Sequence, residues 1–174
     1  MVFGSQTRVL RLDVYITFGL RNMNIASGIK LLDEIEGAGE PAARGDSVIY
    51  NLRGFLSRGD EVPMNTLSPD DRAKLLAAQP DIFTIREGGE LINFACRIGK
   101  RDAIAGIEYS LVGMKVGGFR KVKVSPHLAY RDGGLYDKIP ANAVITFHIW
   151  MNRITKTKAE PSASADGVPP PAKS

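Results

Sequence analysis

Apolar and polar residues alternate through two stretches near the C-terminal end, Phe119–Val124 and Val144–Met151. In the second, Ile145, Phe147, Ile149 and Met151 share one face, while Thr146, His148 and Trp150 share the other. A repeat of two predicts strands with one buried face. Between them, Ser125-Pro126, Arg131-Asp132-Gly133-Gly134 and Ile139-Pro140-Ala141-Asn142 predict a turn-rich connection. Upstream, Ile25–Ile35 has strand character through Ile29, Leu31, Leu32 and Ile35, and Gly37-Ala38-Gly39-Glu40-Pro41 breaks it. Ser57-Arg58-Gly59 follows Gly45–Leu56 as a hairpin turn. Ser68-Pro69-Asp70-Asp71 predicts a helix start: a hydroxyl N-cap, proline in the first turn, and acids beside it. Good helix formers run on to Gln79, and Pro80 stops them. The runs Ile82–Ile85 and Leu91–Ile98 flank Glu87-Gly88-Gly89 as a hairpin, and Asp102–Leu111 has helical spacing at Ala103, Ile104, Ile107 and Leu111.

The two ends differ from this core. Over residues 1–24, Leu12, Val14, Ile16 and Phe18 would share one side of a strand. Met23 is an alternative start that would make the preceding residues an added extension. From Thr155 the chain is Lys, Ala, Ser and Pro with almost nothing to bury, and a disordered tail over 155–174 is expected. That leaves 25–154 as one domain, with an insertion near 64–90.

At 174 residues and 44% hydrophobic content the chain can bury a core. No apolar run approaches the roughly 20 residues that span a bilayer, so no membrane contact is expected. One cysteine, Cys96, excludes an internal disulfide framework and points to a reducing compartment, with the cytoplasm as default. The net charge of +4 comes from scattered cations. The densest cluster, Arg120, Lys121 and Lys123, reads as a solvated basic strand. With no aromatic-interleaved groove, no nucleic-acid partner is expected.

Several chemistries are unsupported. Two histidines, His127 and His148, and one cysteine without a nearby carboxylate cluster make no metal set, and no cofactor motif is present. His148 reads as a surface histidine and Cys96 as a buried, inert thiol. Gly113, Gly117 and Gly118 precede a strand rather than a helix, so they form no phosphate loop.

A resemblance supplies what those tests do not. The run Val112-Gly113-Met114-Lys115-Val116-Gly117-Gly118-Phe119-Arg120-Lys121, then Ser125-Pro126-His127-Leu128-Ala129-Tyr130, then Ile139-Pro140-Ala141-Asn142-Ala143, resembles the C-terminal half of FKBP-type peptidyl-prolyl isomerases. Their consensus there runs roughly G-M-x-x-G-x-x-R, P-x-x-A-Y-G and I-P-x-x-A-x-L-x-F. Gly45–Leu56 is similar to the family's G-D-x-V-x-V-x-Y-x-G-x-L. The resemblance implies an α+β fold, a strongly curved antiparallel sheet (a half-barrel) wrapped around the short helix at 102–111, with Ser68–Gln79 as a helical insertion.

It also implies chemistry that needs no acid, base or nucleophile. Rotation about an amide meets a barrier of about 18–20 kcal/mol from C–N resonance. The twisted amide is less polar than the planar one, so a dry apolar basin with a few oriented hydrogen bonds favours it. Carried over by position, the resemblance makes Tyr130 the hydroxyl that holds the peptide and Ile104 the backbone N–H that meets it. Phe147 and Phe94 become walls, and Ile139 a rim. Ile107 stands where the family has a tryptophan floor, Leu52 replaces a wall tyrosine, and Val62-Pro63 replaces a Phe-Asp pair. Arg131 replaces the glycine after Ala-Tyr. Losing the aspartate removes a buried partner worth about 1–3 kcal/mol. The expected function is isomerisation of Xaa-Pro bonds in peptides or client proteins, at reduced rate and as a monomer. The alternative is a non-catalytic proline-peptide binding or chaperone module. Core packing alone would also explain Phe147, Ile107 and Ile104.

Overall fold

The computed structural model describes residues 24–64, 67–135 and 138–157. The strand read over Leu12–Phe18 and the tail beyond residue 157 lie outside the described residues. The architecture is α+β, an antiparallel sheet packed on a short helix. Its strands are β1 (Asn24–Ala26), β2 (Ile29–Ile35), β3 (Ser47–Leu56), β4 (Glu61–Val62), β7 (Phe94–Arg97), β8 (Phe119–Val124) and β9 (Ile145–Thr155). They run in the order β1-β2-β8-β9-β3-β4, with β7 sharing the outer edge of β3. A separate hairpin, β5 (Phe83–Arg86) and β6 (Gly89–Ile92), follows helix α1 (Pro69–Ala78) in the insertion.

The core lies between the concave side of the sheet and helix α2 (Ala105–Leu111). Ile145, Phe147, Ile149 and Met151 of β9 are all sealed from solvent, as are Val122 and Val124 of β8 and Leu111 of α2. Helix and sheet approach so closely at Gly106 that a Cβ there would lie 2.4 Å from Val124 Cγ1 and 3.0 Å from the Leu128 carbonyl. Arg120 holds the other end of the helix. Its guanidinium donates to the Ser110 and Val112 carbonyls at 2.7 and 2.9 Å and pairs with Glu34 at 2.5 Å. Carbonyls at a helix C-terminus lack intrahelical partners, and a cation there satisfies them. Arg120 is therefore a buried strut, in contrast to the solvated basic strand expected from the cluster.

Local differences from the sequence reading have physical causes. Helix α2 begins three residues later than the spacing predicts. Asp102 instead accepts the Arg97 N–H at 2.9 Å, and Ile104 caps the helix in an extended conformation (φ −59°, ψ 146°). The run Leu91–Ile98 divides at Asn93 into two strands. Gly28, at φ +88°, breaks 25–35 into β1 and β2. In the insertion, the Ser68 side chain accepts the Asp71 N–H at 3.1 Å, as the capping signal predicts. Beyond Thr155 the chain stays attached: Lys156 pairs with buried Asp46 at 3.0 Å, and the Thr157 N–H donates to the same carboxylate at 3.2 Å.

The insertion covers the convex side of β3 through a polar network. Asn51 is fully buried. Its amide donates to the Ile92 carbonyl (2.9 Å) and Asn93 Oδ1 (2.7 Å), while its oxygen accepts from Arg86 (3.2 Å) and Asn152 (2.9 Å). Beside it, His148 is stacked among Phe55, Phe119 and Trp150, with ring centroids 4.6, 5.7 and 6.1 Å away. It is half-buried rather than a plain surface histidine.

Two outcomes follow. Gly106→Ala should lower unfolding free energy by about 1–3 kcal/mol in denaturant titrations, the usual cost of overpacking. Burial lowers the His148 pKa, and Lys121 and Arg53 lower it further against a weak opposing pull from Asp33. The unfolded imidazole then binds its proton at higher pH, near 6.5, than the folded one. Stability is thus lost as pH falls below that value, and His148→Phe should flatten the denaturation midpoint between about pH 7 and about pH 5.

Candidate functional site

The concave side of the sheet gathers all eight residues singled out from the sequence into one apolar cluster. Leu52 comes from β3, Val62 from β4, Phe94 from β7, Ile107 from α2 and Phe147 from β9. Ile104 caps α2, Tyr130 sits between two 3-10 turns, and Ile139 lies in the loop before β9. That loop turns at Gly134 (φ +61°), where a Cβ would lie 2.3 Å from the Ile139 carbonyl.

The eight divide by exposure. Phe147, Ile107, Ile139, Val62 and Leu52 are 0 to 5% exposed and form a sealed floor. Tyr130, Ile104 and Phe94 are partly open to solvent and form its rim. Gly54 makes room for the Phe147 ring, since a Cβ there would meet Phe147 Cε1 at 3.3 Å and the Met64 sulfur at 3.6 Å. Met64 thus packs in the neighbourhood of the Phe147 ring.

Two hydrogen-bond donors stand at the rim. The Ile104 carbonyl accepts from the Ile107 and Glu108 N–H groups at 2.9 and 3.1 Å, but its own N–H has no acceptor among the described residues. The Tyr130 hydroxyl likewise has no protein partner among the described residues, and burial raises its pKa, which keeps it a neutral donor. Both donors stand on residues partly open to solvent, where water can satisfy them until a ligand takes its place.

One residue of this cluster escaped the sequence reading. Tyr50 is 4% exposed on β3 and lies across from Phe94, with ring centroids 5.8 Å apart at a 30° tilt. Burial pushes its hydroxyl far above the ordinary value, and negative charge on Cys96, Glu108 or Tyr130 would push it further. It stands two residues before Leu52 on the same strand face, so an aromatic ring is present near the position where the family's tyrosine is missing. The alternation Val48, Tyr50, Leu52 was the available signal. Cys96 behaves as expected of an inert thiol: burial, then Glu108 and Asp102, push its pKa up to about 12. Among the described residues no group of three or more histidine, cysteine or carboxylate side chains could hold a metal, and no helix is long and apolar enough to cross a membrane.

A curved antiparallel sheet closed on one short helix, with an apolar floor and, among the described residues, two donors without protein partners at its rim, defines a class of α+β domain. Comparison with known proteins narrows it. A family model for FKBP-type peptidyl-prolyl cis-trans isomerase matches residues 38–152, and the chain belongs to that family. FK506-binding protein 1A of Neurospora crassa is 31% identical over 121 residues, covering 69% of this chain and 82% of that protein. FK506-binding protein 4 of Chaetomium thermophilum is 29% identical over 132 residues, or 76% of this chain. The chain spans only 22% of that relative's length and 30% of the 39 kDa FK506-binding nuclear protein of Drosophila melanogaster. Among solved structures, a peptidyl-prolyl cis-trans isomerase from Pseudomonas syringae superposes with a TM-score of 0.53 at 18% identity, covering 75% of this chain and 78% of that one.

Because Phe147 carries no exposed surface, Phe147→Ala should cost about 3–5 kcal/mol in stability by chemical denaturation, as truncation of a buried phenylalanine does. Tyr130→Phe, which removes one unpaired oxygen from the rim, should shift the unfolding midpoint little.

Proposed function

We propose that the chain catalyses cis-trans isomerisation of Xaa-Pro bonds in peptides or client proteins, more slowly than a member with the full consensus site. The observation that carries this reading is the pair of unpartnered donors, Ile104 N–H and Tyr130 O–H, beside a sealed apolar floor. Such a surface hydrogen-bonds the peptide while surrounding the rotating amide with apolar atoms. The less polar twisted state gains from that environment relative to water. The expected roles are Tyr130 and Ile104 as donors and Phe147 as the wall behind the ring. Phe94, Ile107, Leu52, Val62 and Ile139 complete the basin. Ile107, Leu52 and Val62-Pro63 give it fewer aromatic and polar contacts than the family pattern, which supports slower turnover.

A second reading, a proline-peptide binding or chaperone module without catalysis, is favoured by how fully the floor residues are sealed from solvent. The reading takes the chain to act as a monomer, without a membrane, nucleic acid or cofactor; its single buried thiol supports a reducing compartment such as the cytoplasm.

Exchange NMR on Xaa-Pro peptides separates the two readings. An isomerase accelerates cis-trans exchange, and Tyr130→Phe lowers kcat/KM by roughly fivefold to tenfold, the loss of one hydrogen bond. Binding without acceleration, weakened by the same substitution, establishes the module instead.

A further inference from the structure

Beside the prolyl site lies a groove of about 600 Å³ that the isomerase reading does not use. It shares walls with that site. Ala103 and Ala105 line it on either side of Ile104, and Arg131, which follows Tyr130, stands on its rim. A peptide seated on the Ile104 and Tyr130 donors would therefore pass the groove within one or two residues of proline. Buried Ile98 gives the groove an apolar floor, and Arg44, Arg101 and Arg131, all exposed, line it as well.

These three guanidiniums are unpaired. Arg131 donates to the His127 carbonyl at 3.3 Å, and among the described residues none of the three meets a carboxylate. Among the described residues lining the groove the one acid is Glu108, which is buried and already engaged, accepting the Gly99 N–H at 2.9 Å and the Ala103 N–H at 3.5 Å. It offsets one positive charge of three. Some cations elsewhere in the domain do find acids, Arg53 with Glu61, Arg72 with Glu90, Lys115 with Glu36 and Arg120 with Glu34 among them, but these stand singly on separate faces, whereas the groove brings three guanidiniums to one rim. The groove also concentrates backbone strain. Arg101 (φ +65°) and Arg131 (φ +52°) both hold left-handed conformations that glycine would adopt freely. Strain of this kind persists where the surrounding structure enforces it, and it collects at binding sites.

Resting on the isomerase reading, we infer that this groove selects proline substrates whose flanking residues carry carboxylates, with Arg44, Arg101 and Arg131 as the specificity-determining residues. A guanidinium fork matches a carboxylate, and the apolar floor takes the aliphatic stem of a glutamate. The gain per pair is modest at an exposed rim, so the summed preference should be roughly fivefold to thirtyfold.

The test uses the full chain and peptides with a constant Ala-Leu-Pro-Phe core flanked on both sides by two Glu, two Ser or two Lys. Cis-trans exchange is followed by NMR, and affinity by fluorescence anisotropy of the same labelled peptides. Turnover of the Ser-flanked peptide tests the isomerase reading alone. The Glu-to-Lys ratio, in kcat/KM or in Kd where nothing turns over, tests the groove. A ratio of about five or more, falling to one or inverting in Arg44→Glu/Arg101→Glu, supports the inference. A control, Lys30→Glu/Lys123→Glu, makes the same change in net charge at two exposed lysines paired across β2 and β8. A ratio near one in the unaltered chain, or an equal drop in the control, overturns the inference. So does tighter binding of a single-stranded RNA of matched length than of the Glu-flanked peptide.

Discussion

The closeness of helix α2 to the sheet governs the rest of the molecule. Only a glycine fits at position 106, where β8 and the Leu128 carbonyl press against the helix. Arg120 then anchors the opposite end by gripping the last carbonyls while paired with Glu34. With both ends held, Ile107 and Leu111 are driven into the core, and Ile104 is left at the lip with its N–H unclaimed. Moving the helix outward by a methyl group would loosen the floor and misplace a donor together. Packing and site are one constraint here.

The site that results has an uneven character. Its floor is as closed as a protein interior, whereas its rim offers donors and partly exposed rings. Met64 packs at the edge of that floor, near the Phe147 ring. Methionine suits that position, because an unbranched, flexible thioether repacks at low cost. The missing wall tyrosine at 52 is partly offset by Tyr50, one pleat along the same face, which keeps an aromatic surface against Phe94.

Local patterning made the strands and caps readable. Ile145, Phe147, Ile149 and Met151 alternate because one face of β9 is sealed, and Ser68 precedes Pro69 because a helix start needs an acceptor for free N–H groups. The family motifs added the helix-on-sheet arrangement. What stayed hidden depends on partners distant in the chain. Arg120 looked like part of a solvated charge cluster because Glu34 and the carbonyls of α2 meet it only after folding. Asn51 is buried by partners in the insertion, Ile92 and Arg86, that meet it only after folding. The start of α2 was misjudged because Asp102 bonds back to Arg97 rather than opening the helix. Tyr50 falls where the family motif carries a valine, so the motif assigns it no part in the basin.

The amides of Asn51, Asn93 and Asn152, joined with Arg86, make the insertion hard to treat as a detachable module. Excising the segment would open the convex face of β3, stripping Asn51 of its Ile92 acceptor and Arg86 donor, while Arg53 would lose the turn carbonyls that it grips. A minimal version of this domain therefore could not be made by cutting alone. The convex face would have to be rewritten at the same time, so lineages carrying this insertion should keep the polar signature of β3 and β9 for as long as they keep the hairpin above it.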